Sequence, residues 1–276
     1  MPPNGKQVVF GTTDGILVLW DVGHRQMVSE PVAAHGTAIN PLWYSPHGEI
    51  FISASDDHTI RFWDVTTGLS AGATFRVHTN GVLIAGFLAD RGAETIVRLS
   101  KDSTVLLWQA QTGDAEHQLR IALEPRFLAT LSNDCKKLLA VSGKDMTVWD
   151  TISAELIKTL SLKTSTSLSV GFSRDFSQAA LGLAECSLQM WVFDDDNLDS
   201  VLLEEHCYYI VWPPDSRTIA FVALDATLRI WDAEHRKCIL GPHKTSGPIA
   251  FSPGGHFIVS SREDGLLDIS TVRNLL

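Results

Sequence analysis

The sequence predicts an all-β fold of seven small sheets, and three observations carry that prediction. Six tryptophans, Trp20, Trp63, Trp108, Trp149, Trp191 and Trp231, follow one another at intervals of 43, 45, 41, 42 and 40 residues. Each closes an alternating apolar stretch, and the fullest copy is Ser53-Ala54-Ser55-Asp56-Asp57-His58-Thr59-Ile60-Arg61-Phe62-Trp63-Asp64, a polar turn between two short strands. A seventh copy, Glu263-Asp264-Gly265-Leu266-Leu267-Asp268-Ile269-Ser270, keeps the turn and hairpin with Ser270 in the tryptophan slot, 39 residues after Trp231. One small sheet cannot bury both of its faces, so tandem copies must stack on their neighbours. Radial packing about one axis gives every sheet two covered faces and leaves only short edges.

Residues 2–20 read as a repeat entered partway through, because the Pro/Gly turn at Pro3-Asn4-Gly5 has no strand ahead of it. The second unit holds every part: His35-Gly36, a strand near 38–43, the turn Ser45-Pro46-His47-Gly48, a strand over 50–54 and the hairpin to Trp63. The third runs from His78 to Trp108 with an enlarged turn at Asp90-Arg91-Gly92-Ala93, and Arg98 stands where Ser53 stands in the second. In the fourth, Gly143-Lys144-Asp145 makes the hairpin about one residue short. The fifth replaces the turn aspartate with Glu185, the sixth runs from Tyr208 to Trp231-Asp232, and the seventh starts near His243. The expected sum is about 26 strands, three in the first sheet, four in each of five and three in the last, so the first and last sheets are expected to be incomplete. No composition break marks a linker, and residues 1–276 are expected to form one domain, as a whole or as a piece of a longer repeat protein.

Composition narrows the function classes. The formal charge is −10, from 32 acidic against 22 basic residues, and no basic run exceeds Lys136-Lys137, which argues against direct contact with nucleic acid. Cys135, Cys186, Cys207 and Cys238 are dispersed, as suits a reducing compartment and not a disulfide framework. The start lacks an apolar secretion core and no apolar run reaches membrane-spanning length, so an intracellular chain, cytoplasmic or nuclear, is expected. Neither the scattered histidines nor the acidic stretch Asp194-Asp195-Asp196-Asn197-Leu198-Asp199 has metal-site spacing, and no cofactor is expected.

These repeats resemble the WD-repeat β-propeller family. The resemblance rests on His35-Gly36 ahead of a strand, the Ser/Asp-rich turn, and the endings Trp20-Asp21, Trp63-Asp64, Trp149-Asp150 and Trp231-Asp232, and it covers essentially the whole chain. It implies a seven-bladed propeller whose blades are held by a buried set of His, Ser or Thr, Asp and Trp. His35, Ser53, Asp57 and Trp63 match all four; His78, Asp102 and Trp108 lack the serine; His243, Ser260 and Asp264 lack the tryptophan. On this count the second and third sheets are expected to be firm and the fourth and fifth softer. A serine, histidine and aspartate together also invite a hydrolase reading, but a serine locked in such a network has neither oxyanion donors nor an open pocket, so no catalytic residue is assigned.

By the same resemblance, partners dock on the loops before the first strand of each sheet and on the turns ahead of each aspartate. The first set maps to Asn40, Leu83, Phe127, Leu168, Tyr208 and Pro248, the second to Thr13, Asp56, Lys101, Leu224 and Glu263. Phe127 and Tyr208 are the expected aromatic anchors. Carboxylates at Asp56 and Glu263 favour a basic peptide, against which Lys101 works. The expected function is a noncatalytic scaffold that docks protein or peptide partners on this rim, as a monomer or in a hetero-complex. The alternative is the sensing or autoinhibitory repeat region of a larger signalling protein.

Overall fold

A computed structural model of the chain describes residues 5–76, 78–88, 95–109, 115–121, 127–162, 167–184, 187–193, 197–202, 206–245, 247–261 and 267–272. Seven antiparallel sheets follow one another along the chain, 27 strands among the described residues. The second sheet is typical: Ile39–Tyr44, Ile50–Ser55, Thr59–Asp64 and Phe75–Arg76 lie side by side in chain order. Up-and-down order repeats in the third (Val82–Phe87 to Ala115–Arg120), fourth (Phe127–Leu131 to Leu156–Ser161), fifth (Ser167–Phe172 to Asn197–Leu202) and sixth (Cys207–Val211 to Lys237–Lys244) sheets. The class is the all-β, seven-bladed propeller, each sheet one blade.

The first sheet differs in detail from expectation, and the seventh has the three strands expected of it. In the first, Gln7–Gly11 pairs with Ile16–Asp21, and the third place is shared by two short strands, Gln26–Met27 and Val32–Ala33, both on Ile16–Asp21. The break between them contains Pro31, which has no N–H to give to a ladder. This split accounts for the strand beyond the expected number. In the seventh sheet, Ile249–Phe251, Phe257–Ser261 and Leu267–Thr271 make three strands.

The tryptophan period has a register basis. Trp20 lies opposite Val8, Trp63 opposite Phe51, Trp108 opposite Ile96, Trp191 opposite Ala179 and Trp231 opposite Ile219. Ser270 occupies the same slot opposite Ile258. The hairpins of the first, second, third and sixth sheets turn through three residues with the last in the left-handed region, Gly15, His58, Ser103 and Ala226 having φ of 85°, 72°, 63° and 58°, whereas the fourth turns through Gly143-Lys144 alone, the one residue fewer that the sequence predicts. Beyond the tryptophan, the paired aspartate caps the next turn. Asp64 Oδ1 accepts the N–H groups of Thr66 and Thr67 at 3.0 and 2.8 Å, Asp150 Oδ1 those of Ile152 and Ser153, and Asp232 Oδ1 those of Glu234 and His235.

By proximity the chain divides into two compact units. The first comprises residues 1–125, 133–139 and 148–158, and the second residues 126–132, 140–147 and 159–276. In the first unit, neighbouring sheets bury a shared layer of Ile52, Ile60, Phe62, Val82, Phe87, Ile96 and Trp108. Phe75 meets the Trp108 ring edge-on at 4.3 Å, and Phe62 lies 6.0 Å from it. Truncating a tryptophan so enclosed costs about 3–5 kcal/mol. In the second unit, Ala180, Leu188, Ile210, Ile219, Phe221 and Trp231 form one such layer, and Ala220, Val222, Ile230, Ile249 and Ile258 another. Middle strands are therefore buried on both faces, as Thr95–Ser100 is throughout.

Candidate functional site

The second sheet holds a closed polar network. With its proton on Nδ1, the His35 ring donates toward Asp57 Oδ2 at 3.0 Å, and Nε2 accepts the Ser53 hydroxyl proton at 2.7 Å. The Ser53 oxygen in turn accepts the Trp63 indole N–H at 2.8 Å. Ser53 is wholly buried, so both of its bonds replace solvent it cannot reach. Burial works against charge on Asp57, but hydrogen bonds from Thr59, Gly36 and His35 outweigh it and hold the carboxyl near 2. Burial lowers the His35 pKa, and Asp57 opposes that only in part. The serine has no free face for a substrate, so the trio is architectural and not a hydrolytic triad.

Thr59 is a member that the reading of the sequence missed. Its hydroxyl lies 3.0 Å from His35 Nδ1 and donates to Asp57 Oδ1, whose other donor is the Thr59 N–H. The signal is an Asp-x-Thr spacing, repeated as Asp57-His58-Thr59, Asp102-Ser103-Thr104 and Asp225-Ala226-Thr227. Thr104 and Thr227 donate to Asp102 and Asp225 in the same way.

The third sheet keeps part of this network. His78 Nδ1 lies 3.3 Å from Asp102 Oδ2, which also accepts the Thr79 N–H and hydroxyl at 3.1 and 3.0 Å. Burial opposes charge on Asp102, yet the bonds from Thr104 and Thr79 and the nearby His78 bring it to about 2. Burial pulls His78 down to about 4, helped by Arg98. Trp108 Nε1 and His78 Nε2 have no hydrogen-bond partner, so this sheet is less firmly tied than its three matching residues imply. In the seventh, His243 is not part of a buried set: it lies exposed in Lys237–Lys244, opposite Leu228. Ser260 is buried opposite Asp268, and Asp264 is outside the described residues.

The expected docking residues fall in two kinds of place. Three of the six in the first set mark irregularities in the first strand of a sheet. Asn40 and Pro41 together oppose Ala54, Leu83 is extra between Val82 and Ile84, and Leu168 is extra between Ser167 and Ser169. Such bulges re-aim side chains away from the ladder. In the sixth sheet the bulge falls after Tyr208, so Tyr209 takes the place expected of Tyr208. Tyr208 is half-buried, whereas Tyr209 is 50 % exposed at φ 48°, a left-handed conformation that costs a bulky side chain energy. Phe127 and Leu83 are half-buried and Pro248 is exposed. Of the turn positions, Thr13 is exposed, Leu224 is 58 % exposed, and Glu263 is outside the described residues.

Asp56 differs most from expectation. Lys101 Nζ pairs with its Oδ2 at 2.8 Å, and Asn40 Nδ2 donates to Oδ1 at 3.1 Å and to the Val82 carbonyl at 2.6 Å. Burial raises the Asp56 pKa, but Lys101 and Asn40 overcome it and the net shift is downward. Three residues expected to face a partner thus tie two neighbouring sheets of the first unit together, and the carboxylate is already neutralised. Among the described residues no group of three or more His, Cys, Asp or Glu could hold a metal. No helix among them is long and apolar enough to cross a membrane.

Repeated sheets, Trp-Asp turn caps and a buried His-Ser-Asp-Trp network are the features of WD repeats, and the chain contains such repeats. The model of the WD domain, G-beta repeat, matches residues 29–64 and 200–232. The chain is similar to periodic tryptophan protein 2 of Arabidopsis thaliana, 23 % identical over 235 residues that make up 83 % of this chain and 26 % of that protein. It is 26 % identical over 211 residues to the guanine nucleotide-binding protein subunit beta-1 of Nicotiana tabacum, and 28 % over 213 residues to the corresponding beta subunit of Oryza sativa subsp. japonica. Each of these two alignments spans 70 % of this chain and 55 % of the relative, so the chain spans about half the length of the beta subunits it matches. Repeats of this family and relatives of this kind support a protein-interaction scaffold in general terms.

Proposed function

We propose that the chain is a noncatalytic scaffold that docks a protein or peptide partner through the sixth sheet, with Tyr209 as the anchor, Tyr208 next to it in the strand, and Leu224, in the turn after Thr218–Ala223, as a second exposed contact. The observation that carries this reading is the exposed, left-handed Tyr209. An aromatic residue held at positive φ in a bulge costs stability, and such strain gathers at binding sites. Tyrosine is also among the commonest interface anchors. The ion pair of Asp56 with Lys101 weighs against a basic peptide on the first unit, while exposed Tyr209 and Leu224 favour a partner with an apolar or aromatic side chain. Two described cysteines, Cys135 and Cys207, are buried free thiols, which supports a reducing intracellular setting, cytoplasmic or nuclear. The likeness to G-protein beta subunits supports a second reading, a repeat region within a larger signalling protein.

The test is recovery of partners from extract by the chain and by its Tyr209→Ala and Leu224→Ala variants, with captured proteins quantified by mass spectrometry. A loss of about tenfold or more for partners bound by the parent is expected, the range for one hot-spot residue. Undiminished recovery by both variants removes the sixth-sheet assignment, and loss with Phe127→Ala alone moves the anchor to the fourth sheet.

A further inference from the structure

The third sheet carries a buried cation where the second carries a hydroxyl. Arg98 stands four residues before Asp102, as Ser53 stands four before Asp57. Both sit in the second strand of their sheet, Ser53 opposite Arg61 and Arg98 opposite Leu106. Ser53 serves two neighbours, His35 Nε2 and Trp63 Nε1. In the third sheet the corresponding atoms, His78 Nε2 and Trp108 Nε1, are buried without a hydrogen-bond partner, and so are Nε and Nη2 of Arg98 itself. Arg98 is 1 % exposed, and burial lowers its pKa to about 10.

Among the described residues no ion pair or hydrogen bond to Nε or Nη2 balances this charge. Cζ of Arg98 lies 5.0 Å from the centroid of the Trp108 ring. A cation over an aromatic face recovers only part of what it costs to take a guanidinium out of water. Asp102 acts on Arg98 electrostatically, but its oxygens are occupied by His78, Thr79 and Thr104. The unpartnered guanidinium and indole nitrogens can only donate, and His78, with its proton on Nδ1 toward Asp102, contributes no donor. Around them the sheet is apolar: Ile96, Val97 and Leu99 are buried in the same strand, and Phe62 and Phe75 pack on Trp108. An acceptor with negative charge, small and without directional lone pairs, is the chemistry that satisfies two donors of different orientation in such surroundings. We propose that Arg98 and the Trp108 indole N–H form a buried site for one halide ion, chloride under ordinary salt conditions, and that this ion accepts the Trp108 N–H as the Ser53 oxygen accepts that of Trp63.

The experiment is thermal unfolding of the whole chain in sodium chloride and in sodium gluconate at matched ionic strength, with 35Cl NMR line widths as a direct reading of binding. The expected midpoint rises with chloride and not with gluconate, on the order of 3 °C per tenfold increase beyond half-saturation. Protein should broaden the 35Cl line, and bromide should reverse the broadening by competition. Arg98→Met, which keeps the volume without the charge, should lose both effects, and Arg98→Ser should do the same. Equal midpoints in the two salts overturn the proposal, as does a chloride dependence that survives both substitutions. If neither variant folds, the parent chain decides: bromide-reversible 35Cl broadening supports the site, and its absence overturns it.

Discussion

Ser53→Ala is the sharpest test of the polar network. The substitution removes one oxygen and leaves His35 Nε2 and Trp63 Nε1 facing each other without the atom that joined them at 2.7 and 2.8 Å. Both rings are buried, and the space given up by one oxygen is too small to admit a water in its place. Each orphaned group costs about 1–3 kcal/mol, and with some relaxation the expected loss is about 3 kcal/mol. For a chain of this size that is a fall in melting midpoint on the order of 10 °C. Urea unfolding measures it, and the slope against urea should not change, since the surface exposed on unfolding is the same. A double-mutant cycle with Trp63→Phe adds a check that a general packing defect would not pass. Once the indole N–H is gone, removing the serine orphans one group and not two, so the pair should be less than additive by about 1 kcal/mol or more. A loss below about 0.5 kcal/mol, within the range of ordinary surface substitutions, or strict additivity in the cycle would refute the network as the tie that holds this blade.

Arg98→Ser should place a hydroxyl between His78 and Trp108, and the expected gain is about 1–3 kcal/mol in chloride-free buffer, read by urea midpoint. Acid should weaken the chain in two stages. His78 titrates near 4 when folded against 6.5 unfolded, so the unfolded chain takes up protons first and stability falls as pH drops from about 6.5 toward 4. Asp57 and Asp102 are held near 2 against 3.8, so their contribution is intact above about 4 and is lost as pH falls toward 2. Midpoints at pH 7, 5 and 3 check both stages, and His78→Gln should reduce the first, leaving the part that His35 contributes. Gly15→Ala should destabilise by at least ~2 kcal/mol, because the added Cβ would meet the His35 carbonyl at 2.1 Å with φ at +85°; calorimetry measures it.

How far the fold could be read from the sequence follows from what each signal depends on. The tryptophan interval was legible because each indole occupies one register slot against a middle strand, and even Ser270 kept that slot opposite Ile258. Tyr209 was not legible at the same level. Counting back from the turn aspartate leads to Tyr208, and only a bulge that moves along the strand by one residue hands the position to its neighbour. His243 failed for a similar reason. It stands 21 residues before Asp264, close to the 22 between His35 and Asp57, but the eight-residue strand Lys237–Lys244 carries it along an exposed edge with two register shifts.

Asp56 and Lys101 are 45 residues apart, and their pairing depends on which sheet lies beside which. A residue count within one repeat contains no such information, so the sequence shows the Asp56 charge but not the Lys101 ammonium paired with it. Arg98 carries the point furthest. As a letter in a worn repeat it marks a missing serine, which predicts a gap in a network and nothing more. In three dimensions it is a charge in an apolar layer, beside two other groups that lost the same partner. Erosion of a repeat removes a bond, but substitution by a larger charged group also creates a demand, and the third blade differs from the second by that demand.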